Sequence, residues 1–143
     1  MPHAERSVVI ERPLSMVFAF FADAENDRQW RPAVKEITRT GEVGVGATYR
    51  QRVAGPGGRP VPADIETTAY EEGSRVAFKG TAGPVRPTGE YRFRDTGSGT
   101  EVTFRLDVEL GGLKGTLLGR PVQRAMDGEM ANLDRAKQLL ESR

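Results

Sequence analysis

The sequence predicts an α+β fold in which an antiparallel sheet packs against a long C-terminal helix. Strand-like segments follow one another between residues 34 and 110, with short Gly- and Pro-rich turns between them. Strands joined by such short turns run antiparallel. Apolar residues recur at helical spacing from about residue 116 to residue 141, which predicts the helix. A long helix lying on a curved sheet encloses space that is either a core or a pocket.

Composition and charge exclude several classes of protein. The 143 residues suit one domain, which we expect to span residues 1–143. A formal net charge of +1 argues against a nucleic-acid partner, and the absence of cysteine excludes disulfides and cysteine-based sites. No apolar run is long enough to span a membrane, and residues 1–6 lack the apolar core of a secretory signal. We therefore expect a cytoplasmic protein with no membrane span.

The first predicted elements are a strand and an amphipathic helix. Residues 7–10 are rich in β-branched side chains, which favour a strand. Pro13 suits the first turn of a helix, and the helix should end near Asp23. A single helical turn, capped by Asn26 and ended by Pro32, is predicted next. The apolar residues of the helix follow the spacing i, i+3, i+4 and i+7: Leu14, Val17, Phe18 and Phe21.

Six further strands are predicted, and their alternation separates an apolar face from a charged face. Residues 54–60 are interpreted as a turn between two of them. Arginines on the charged face are interleaved with acidic residues, which favours a solvated, ion-paired surface over a binding surface. The predicted strands are residues 34–38, 48–53, 65–71, 75–79, 90–94 and 101–110.

The C-terminal helix carries one carboxylate among its apolar side chains. Positions 122, 126, 129, 133, 136 and 140 lie on one helical face, and five of the six are apolar. The sixth is Glu129. Two positions remain open for its carboxylate. It either points into the enclosed space as a polar anchor or acid/base group, or it reaches water at the rim of a rotated helix.

Other candidate ligand-binding residues lie on the inward faces of the predicted strands and beside them. Tyrosine and glutamine beside apolar walls are typical of a small-molecule site, although the same residues also suit an ordinary core. The only tryptophan either flanks the mouth of a pocket or packs under the first helix, and the methionines adapt to ligands or fill gaps. The candidates are Trp30, Tyr49, Gln51, Tyr91, Phe93, Phe104, Met126, Glu129 and Met130.

No residue is assigned a catalytic or metal-binding role, and no cofactor is expected. Glycines 41, 44 and 46 do not follow the dinucleotide fingerprint, and they precede a strand instead of a helix. The only histidine, His3, lies near the N-terminus. A Ser-His-Asp triad and a histidine-rich metal site are therefore not expected.

Several segments, read in order, resemble the START/Bet v1-like (SRPBCC) superfamily. The resemblance is narrower to its small bacterial polyketide cyclase/dehydrase-like members, and it extends over essentially the whole chain. It implies a helix-grip fold, in which a seven-stranded antiparallel sheet wraps around a long C-terminal helix and leaves a hydrophobic cavity. The segments that carry it are residues 11–18, 30–32, 44–49, 99–104 and 132–140.

The residues and the resemblance together suggest three functions. The leading hypothesis is the binding of a small hydrophobic or aromatic ligand, such as a lipid or a polyketide, between the sheet and the C-terminal helix. The second is a polyketide aromatase/cyclase-type enzyme that uses Glu129 and a tyrosine as an acid/base pair. The third is a co-chaperone-like protein-interaction module that uses the outer sheet face, with Arg92 or Arg94 at the interface. We expect a monomer or a homodimer.

Overall fold

The computed structural model describes residues 2–83, 85–110 and 112–143. The helices are α1 (Leu14–Ala22), α2 (Gly112–Ala131) and α3 (Leu133–Glu141), and a 3₁₀ turn spans Ala24–Gln29. A second, shorter 3₁₀ turn spans Pro56–Gly58. The strands are β1 (His3–Ile10), β2 (Val34–Thr40), β3 (Thr48–Ala54), β4 (Pro60–Pro62), β5 (Ile65–Glu71), β6 (Arg75–Gly80), β7 (Thr88–Asp95) and β8 (Thr100–Asp107).

Seven of the described strands form one antiparallel sheet in the order β1-β8-β7-β6-β5-β3-β2. The first strand pairs with the last along its whole length, from His3 opposite Asp107 to Ile10 opposite Thr100. This arrangement confirms the predicted α+β helix-grip fold of a seven-stranded antiparallel sheet with a long C-terminal helical region.

A short additional strand was not predicted. The segment 54–60, interpreted as a turn, carries the end of β3 at Ala54 and the start of β4 at Pro60. β4 pairs with the second half of β3, whereas β5 pairs with its first half. Each of the two prolines of β4 lacks a backbone donor, and such residues are tolerated at the margin of a sheet. Because β4 has only three residues and follows a run of turn-forming residues, the sequence pattern did not reveal it.

The 3₁₀ turn after α1 is capped differently from the prediction. The Asp23 side chain accepts a hydrogen bond from the backbone N–H of Glu25 (3.1 Å) and so caps the turn. Asn26 instead donates from its side chain to the carbonyl of Phe20 in α1 (2.9 Å). Asn26 therefore closes the preceding helix, since the last carbonyls of a helix lack intrahelical partners. Together these contacts fix the direction in which the turn leaves α1.

The C-terminal helical region is interrupted at one residue. Its backbone at Asn132 stays near helical dihedral angles (φ −67°, ψ −14°), so α3 continues from α2. The Arg6 side chain of β1 donates to the carbonyls of Met130 (3.0 Å) and Ala131 (3.4 Å). These are carbonyls that the next helical turn would otherwise use. The interruption is therefore accompanied by a tertiary contact from a residue more than 120 positions away in sequence.

The interior between sheet and helices is built from aromatic and branched side chains. The side chains of α1 pack against β7, where Phe18 and Phe21 meet Phe93, and the residues that close the far side come from α2 and α3. Charged side chains occupy the outer face of the sheet, where Arg94 pairs with Glu101 across the strands (3.2 Å) and Arg92 pairs with Glu90 (2.9 Å). Fully buried members of the interior include Ile10, Val17, Phe21, Val102, Phe104, Leu133 and Leu140.

Gly89 of β7 lies where no side chain fits. A Cβ at this position would come within 2.8 Å of the Leu106 side chain and even closer to the Phe78 ring. We expect Gly89→Ala to lower the free energy of unfolding by about 1–3 kcal/mol, because extra volume in a packed interior displaces its neighbours. Urea denaturation measures the change.

Gly128→Ala is the matched control. This glycine is exposed in α2 with open space around its Cα, so alanine should raise helix stability by up to about 1 kcal/mol. Equal effects of the two substitutions would contradict the packing described for Gly89.

Candidate functional site

Aromatic rings form a continuous layer on the inner face of the sheet. Tyr91 stacks on Phe104 with ring centroids 4.5 Å apart and an interplanar angle of 14°. Phe93 meets Phe18 of α1 edge to face at 5.0 Å. Edge-to-face and offset contacts of this kind are the favoured geometries of aromatic pairs. Three of the predicted candidate residues therefore lie side by side in the interior.

Trp30 packs under α1. The centroid of its ring lies 5.6 Å from that of Phe21 and 6.2 Å from that of Phe104, and only 1% of the residue is exposed. The sequence allowed two positions for Trp30, and the structure shows the one in which it packs under α1. Met126 and Met130 are buried in the same cluster from the side of α2, so they fill space between the helix and the sheet.

A small cavity remains between α1 and the sheet. Its volume is about 20 Å³, which is enough for one water molecule or one hydroxyl group. Two of the predicted candidates, Tyr49 and Tyr91, line it, and so do Thr67 and a residue that was not predicted, Asp27. Aromatic rings, including that of Phe21, form part of the rest of its wall. This part of the interior is therefore nearly filled, with a polar recess at one side.

Arg31 organises the polar groups of the interior. Its Nε donates to Glu129 Oε2, and its Nη1 donates to Asp27 Oδ2 (2.9 Å) and Gln51 Oε1 (3.1 Å). The side chains of Arg31 and Glu129 are each 15% exposed, and that of Asp27 is 6% exposed. Asn132 also donates to Glu129 Oε1 (3.4 Å). Glu129 therefore points toward the interior and is paired with a largely buried guanidinium, but it does not line the cavity.

Gln51 supports the cluster from β3. Its side-chain amide accepts from Arg31 and donates from Nε2 to the carbonyl of Ala63 (2.8 Å), while its backbone N–H donates to Asp64 Oδ1 (3.1 Å). Both ends of the amide are thus occupied. The role of Gln51 here is to orient the guanidinium, since it has fixed partners on both sides.

Burial has the largest effect on the pKa values of these groups. Desolvation raises the pKa of Asp27 to about 6, and the nearby charge of Glu129 adds to this effect, whereas Arg31 opposes it. Burial works against the charge of Arg31, but the two carboxylates outweigh it and raise the pKa of the guanidinium. Desolvation likewise raises the pKa of Tyr49 to about 12 and that of Tyr91 well above its ordinary value. Both phenols therefore stay protonated at neutral pH.

Two polar atoms in neighbouring parts of the same turn lack hydrogen-bond partners among the described residues. They are Asp27 Oδ1 and the indole nitrogen of Trp30, and both are fully buried. The Trp30 N–H lies close enough to lower the pKa of the Asp27 carboxyl slightly, although it makes no well-aligned hydrogen bond to it. Unpaired buried polar atoms are costly, so their presence in the interior needs a reason.

Sequence reasoning missed Asp27 and Arg31. A signal was present, because the two residues are four apart with opposite charges, a spacing that brings side chains together on a helical turn. Their position next to the only tryptophan was a second hint. Nothing in the local pattern, however, showed that this turn would face Glu129, which is 98 residues further along.

Other kinds of site find little support in the part of the chain that is described. No group of three or more His, Cys, Asp or Glu side chains is placed there to hold a metal ion. Nor does any helix within residues 2–83, 85–110 and 112–143 have the length and apolar character needed to cross a membrane.

Comparison with known proteins gives a consistent picture. The family model described as polyketide cyclase / dehydrase and lipid transport matches residues 1–138. No curated protein matches the chain significantly. Solved structures with a similar fold include the protein TTHA0849 from Thermus thermophilus. It is 23% identical with a TM-score of 0.79, and the match covers 96% of this chain and 95% of that one.

Two further structures share the fold at lower identity. The Zhui aromatase/cyclase from Streptomyces sp. R1128 is 15% identical with a TM-score of 0.69, and the match covers 95% of this chain and 93% of that one. Ara h 8.0201 is 12% identical with a TM-score of 0.77, with coverage of 99% and 98%. At these identities the likeness concerns the fold alone.

The raised pKa of Asp27 predicts a pH dependence of stability. The unfolded chain releases this proton near pH 3.8 and the folded chain near pH 6. Protonation of Asp27 therefore stabilises the folded state fully below pH 3.8, and this contribution is lost as the pH rises through 6. The shift corresponds to about 3 kcal/mol. Asp27→Asn should remove this part of the pH dependence, as measured by urea denaturation at pH 4, 5, 6 and 7.

The exposed variant Asp127→Asn serves as the control for this measurement. It should keep the wild-type profile between pH 4 and 6. A profile of Asp27→Asn that runs parallel to the wild type would show that the carboxyl of Asp27 does not titrate in this range.

Proposed function

The chain belongs to the polyketide cyclase / dehydrase and lipid transport family, and we propose that it binds a small hydrophobic or aromatic molecule between the sheet and the C-terminal helical region. The observation that carries the proposal is the guanidinium of Arg31, held between Asp27 and Glu129 inside an interior that is otherwise largely apolar. The family description, which names polyketides and lipids, supports ligands of this kind.

The cluster is difficult to explain by stability alone. Removing charged groups from water costs several kcal/mol for each ion, and replacing a buried ion pair by apolar side chains is often neutral or stabilising. The surrounding residues already supply a large aromatic core. Groups with perturbed pKa values gather at functional sites, and Asp27 is such a group in a recess. A ligand that forms hydrogen bonds with these polar atoms would account for their presence in the interior.

Apolar contacts would supply most of the affinity. A ligand ring entering from the recess would meet Tyr91 and Phe21, and the stacked pair of Tyr91 and Phe104 offers it a flat surface. Burying apolar surface gives about 25 cal/mol per Å². The polar cluster would then fix the orientation of the ligand, because the aromatic walls distinguish little between one rotation and another.

Ligand entry requires the interior to open, since the present cavity holds no more than a water molecule or a hydroxyl group. The part of α2 ahead of Met126 is the candidate for this motion. Its described residues contribute nothing to the lining of the present cavity, so its displacement would open the interior on the side of the C-terminal helical region. None of residues 117–125 is buried, and Leu117 is 69% exposed. Segments with few buried contacts open at low free energy. Binding would then stabilise the open arrangement at the expense of the closed one.

Binding is tested with naphthalene and 2-naphthol, followed by calorimetry and by the NMR signal of the Trp30 indole N–H. This signal is unique, because the chain has one tryptophan. We expect saturable binding with a shift of this signal. Val76→Phe, which places a ring on the cavity wall, should weaken binding about tenfold or more.

Arg92→Gln on the outer sheet face is the control for Val76→Phe, and it should bind both probes normally. Circular dichroism establishes that each variant is folded. The proposal is overturned if neither probe binds, or if folded Val76→Phe binds both as tightly as the wild type does.

Proton-transfer catalysis is a second candidate function, and Asp27 is the observation that favours it. Glu129, the acid/base group expected from sequence, is engaged by Arg31 and Asn132. Asp27 has one oxygen without a partner among the described residues, lines the cavity, and has a pKa of about 6. Such a carboxylate could remove a proton from carbon beside a carbonyl group, with a protonated tyrosine donating to the enolate oxygen.

Hydrogen–deuterium exchange at the α-carbons of 2-tetralone, followed by proton NMR, tests this candidate. Asp27→Asn should lose the exchange above the buffer rate and keep its binding of the ketone, whereas Asp127→Asn, exposed on α2, should retain both. An exchange rate of the wild type equal to that of buffer alone would refute catalysis without affecting the binding proposal.

A further inference from the structure

Asp27 presents one carboxylate oxygen that the described part of the fold leaves unused. Oδ2 is bound by Arg31 at 2.9 Å, whereas Oδ1 is buried and has no partner among the described residues. The residue is 4% exposed and lines the cavity. A buried carboxylate oxygen is a strong acceptor, so a group entering this recess is favoured if it brings a hydrogen-bond donor.

The charge of the cluster argues against an anionic ligand. The cluster holds two carboxyl groups, those of Asp27 and Glu129, and one guanidinium, that of Arg31, so it has no spare positive charge. The guanidinium already donates to three acceptors. A ligand carboxylate would bring a further negative charge into a desolvated place with no cation left to pair with it, which is costly.

The neighbouring groups favour a hydroxyl over an ammonium. The Trp30 indole N–H is a buried donor without a partner among the described residues, next to the Asp27 carboxyl. Tyr91, protonated at neutral pH, lines the same recess, whereas the Tyr49 hydroxyl already donates to Asp23 Oδ1 (3.5 Å). A hydroxyl both donates and accepts, so it satisfies the carboxylate and one of these donors together, whereas an ammonium only donates. The cavity volume also matches a single hydroxyl.

We propose that Asp27 accepts a hydrogen bond from a hydroxyl group on the bound molecule. The site then binds neutral hydroxylated aromatic molecules, such as phenols, in preference to unsubstituted or carboxylated ones. This inference rests on the proposed binding function and specifies its ligand class. It makes Asp27 a specificity-determining residue, since the aromatic walls contact all three kinds of ligand alike.

The test compares three probes of one shape at pH 7.5: naphthalene, 2-naphthol and 2-naphthoate. We expect the wild type to bind 2-naphthol about tenfold or more tightly than either of the other two, because one hydrogen bond to a charged acceptor accounts for such a ratio. Asp27→Asn presents an amide, which offers a donor as well as an acceptor. It should lose most of the preference for 2-naphthol over naphthalene and should bind 2-naphthoate more tightly than the wild type does.

Asp127→Asn is the control, because Asp127 is exposed on α2, where its carboxylate accepts from Gln123 (3.0 Å), and it does not line the recess. It should keep the wild-type order of affinities. Binding of all three probes with similar affinity by the wild type would overturn this inference alone. Full selectivity in folded Asp27→Asn would also overturn it, and binding of none of the probes would overturn the proposed function as well. The wild-type series decides the question even if Asp27→Asn does not fold.

Discussion

The guanidinium of Arg31 is the interaction on which the arrangement of the interior depends. It connects three separate parts of the chain: the segment that follows α1, strand β3 through Gln51, and helix α2 through Glu129. A planar group with several fixed donors holds its partners at defined angles. Apolar packing alone would tolerate small rotations of α2, whereas this pairing selects one helical phase. The direction of the Glu129 carboxylate follows from that selection.

The same contact limits what the interior contains. Charges buried in pairs must stay paired, so the residues around Arg31 cannot rearrange independently of it. The aromatic layer formed around Trp30 and Phe104 begins at the cluster and extends along β7 and β8. One end of the interior is therefore polar and fixed, and the remainder is apolar and shaped by contacts that carry little direction. A ligand bound here, as proposed, would be distinguished by where its polar group lies.

The sequence predicted the elements of the fold well and its tertiary polar contacts poorly. Alternation in the strands is a local property, so the pattern from Val102 to Leu106 located β8 and its buried face. Helical spacing placed Glu129 among buried neighbours for the same reason. The partner of Glu129, however, comes from a turn 98 residues earlier, and the interruption at Asn132 is associated with Arg6 of β1. Contacts of this kind form only once the sheet and helices are assembled, and they produce no periodic pattern in the sequence.

The interruption at Asn132 divides one helical region into two parts with different attachments. α3 is fixed by Leu133, Ala136 and Leu140, each with 0% exposure, and by Lys137, which donates to the carbonyl of Val9 in β1. Residues 117–125 of α2 have no comparable burial. Backbone amides of α3 should thus exchange with solvent only when the whole molecule unfolds, and those of residues 117–125 through much smaller openings. A single run of helix would in this way contain both strongly and weakly protected amides.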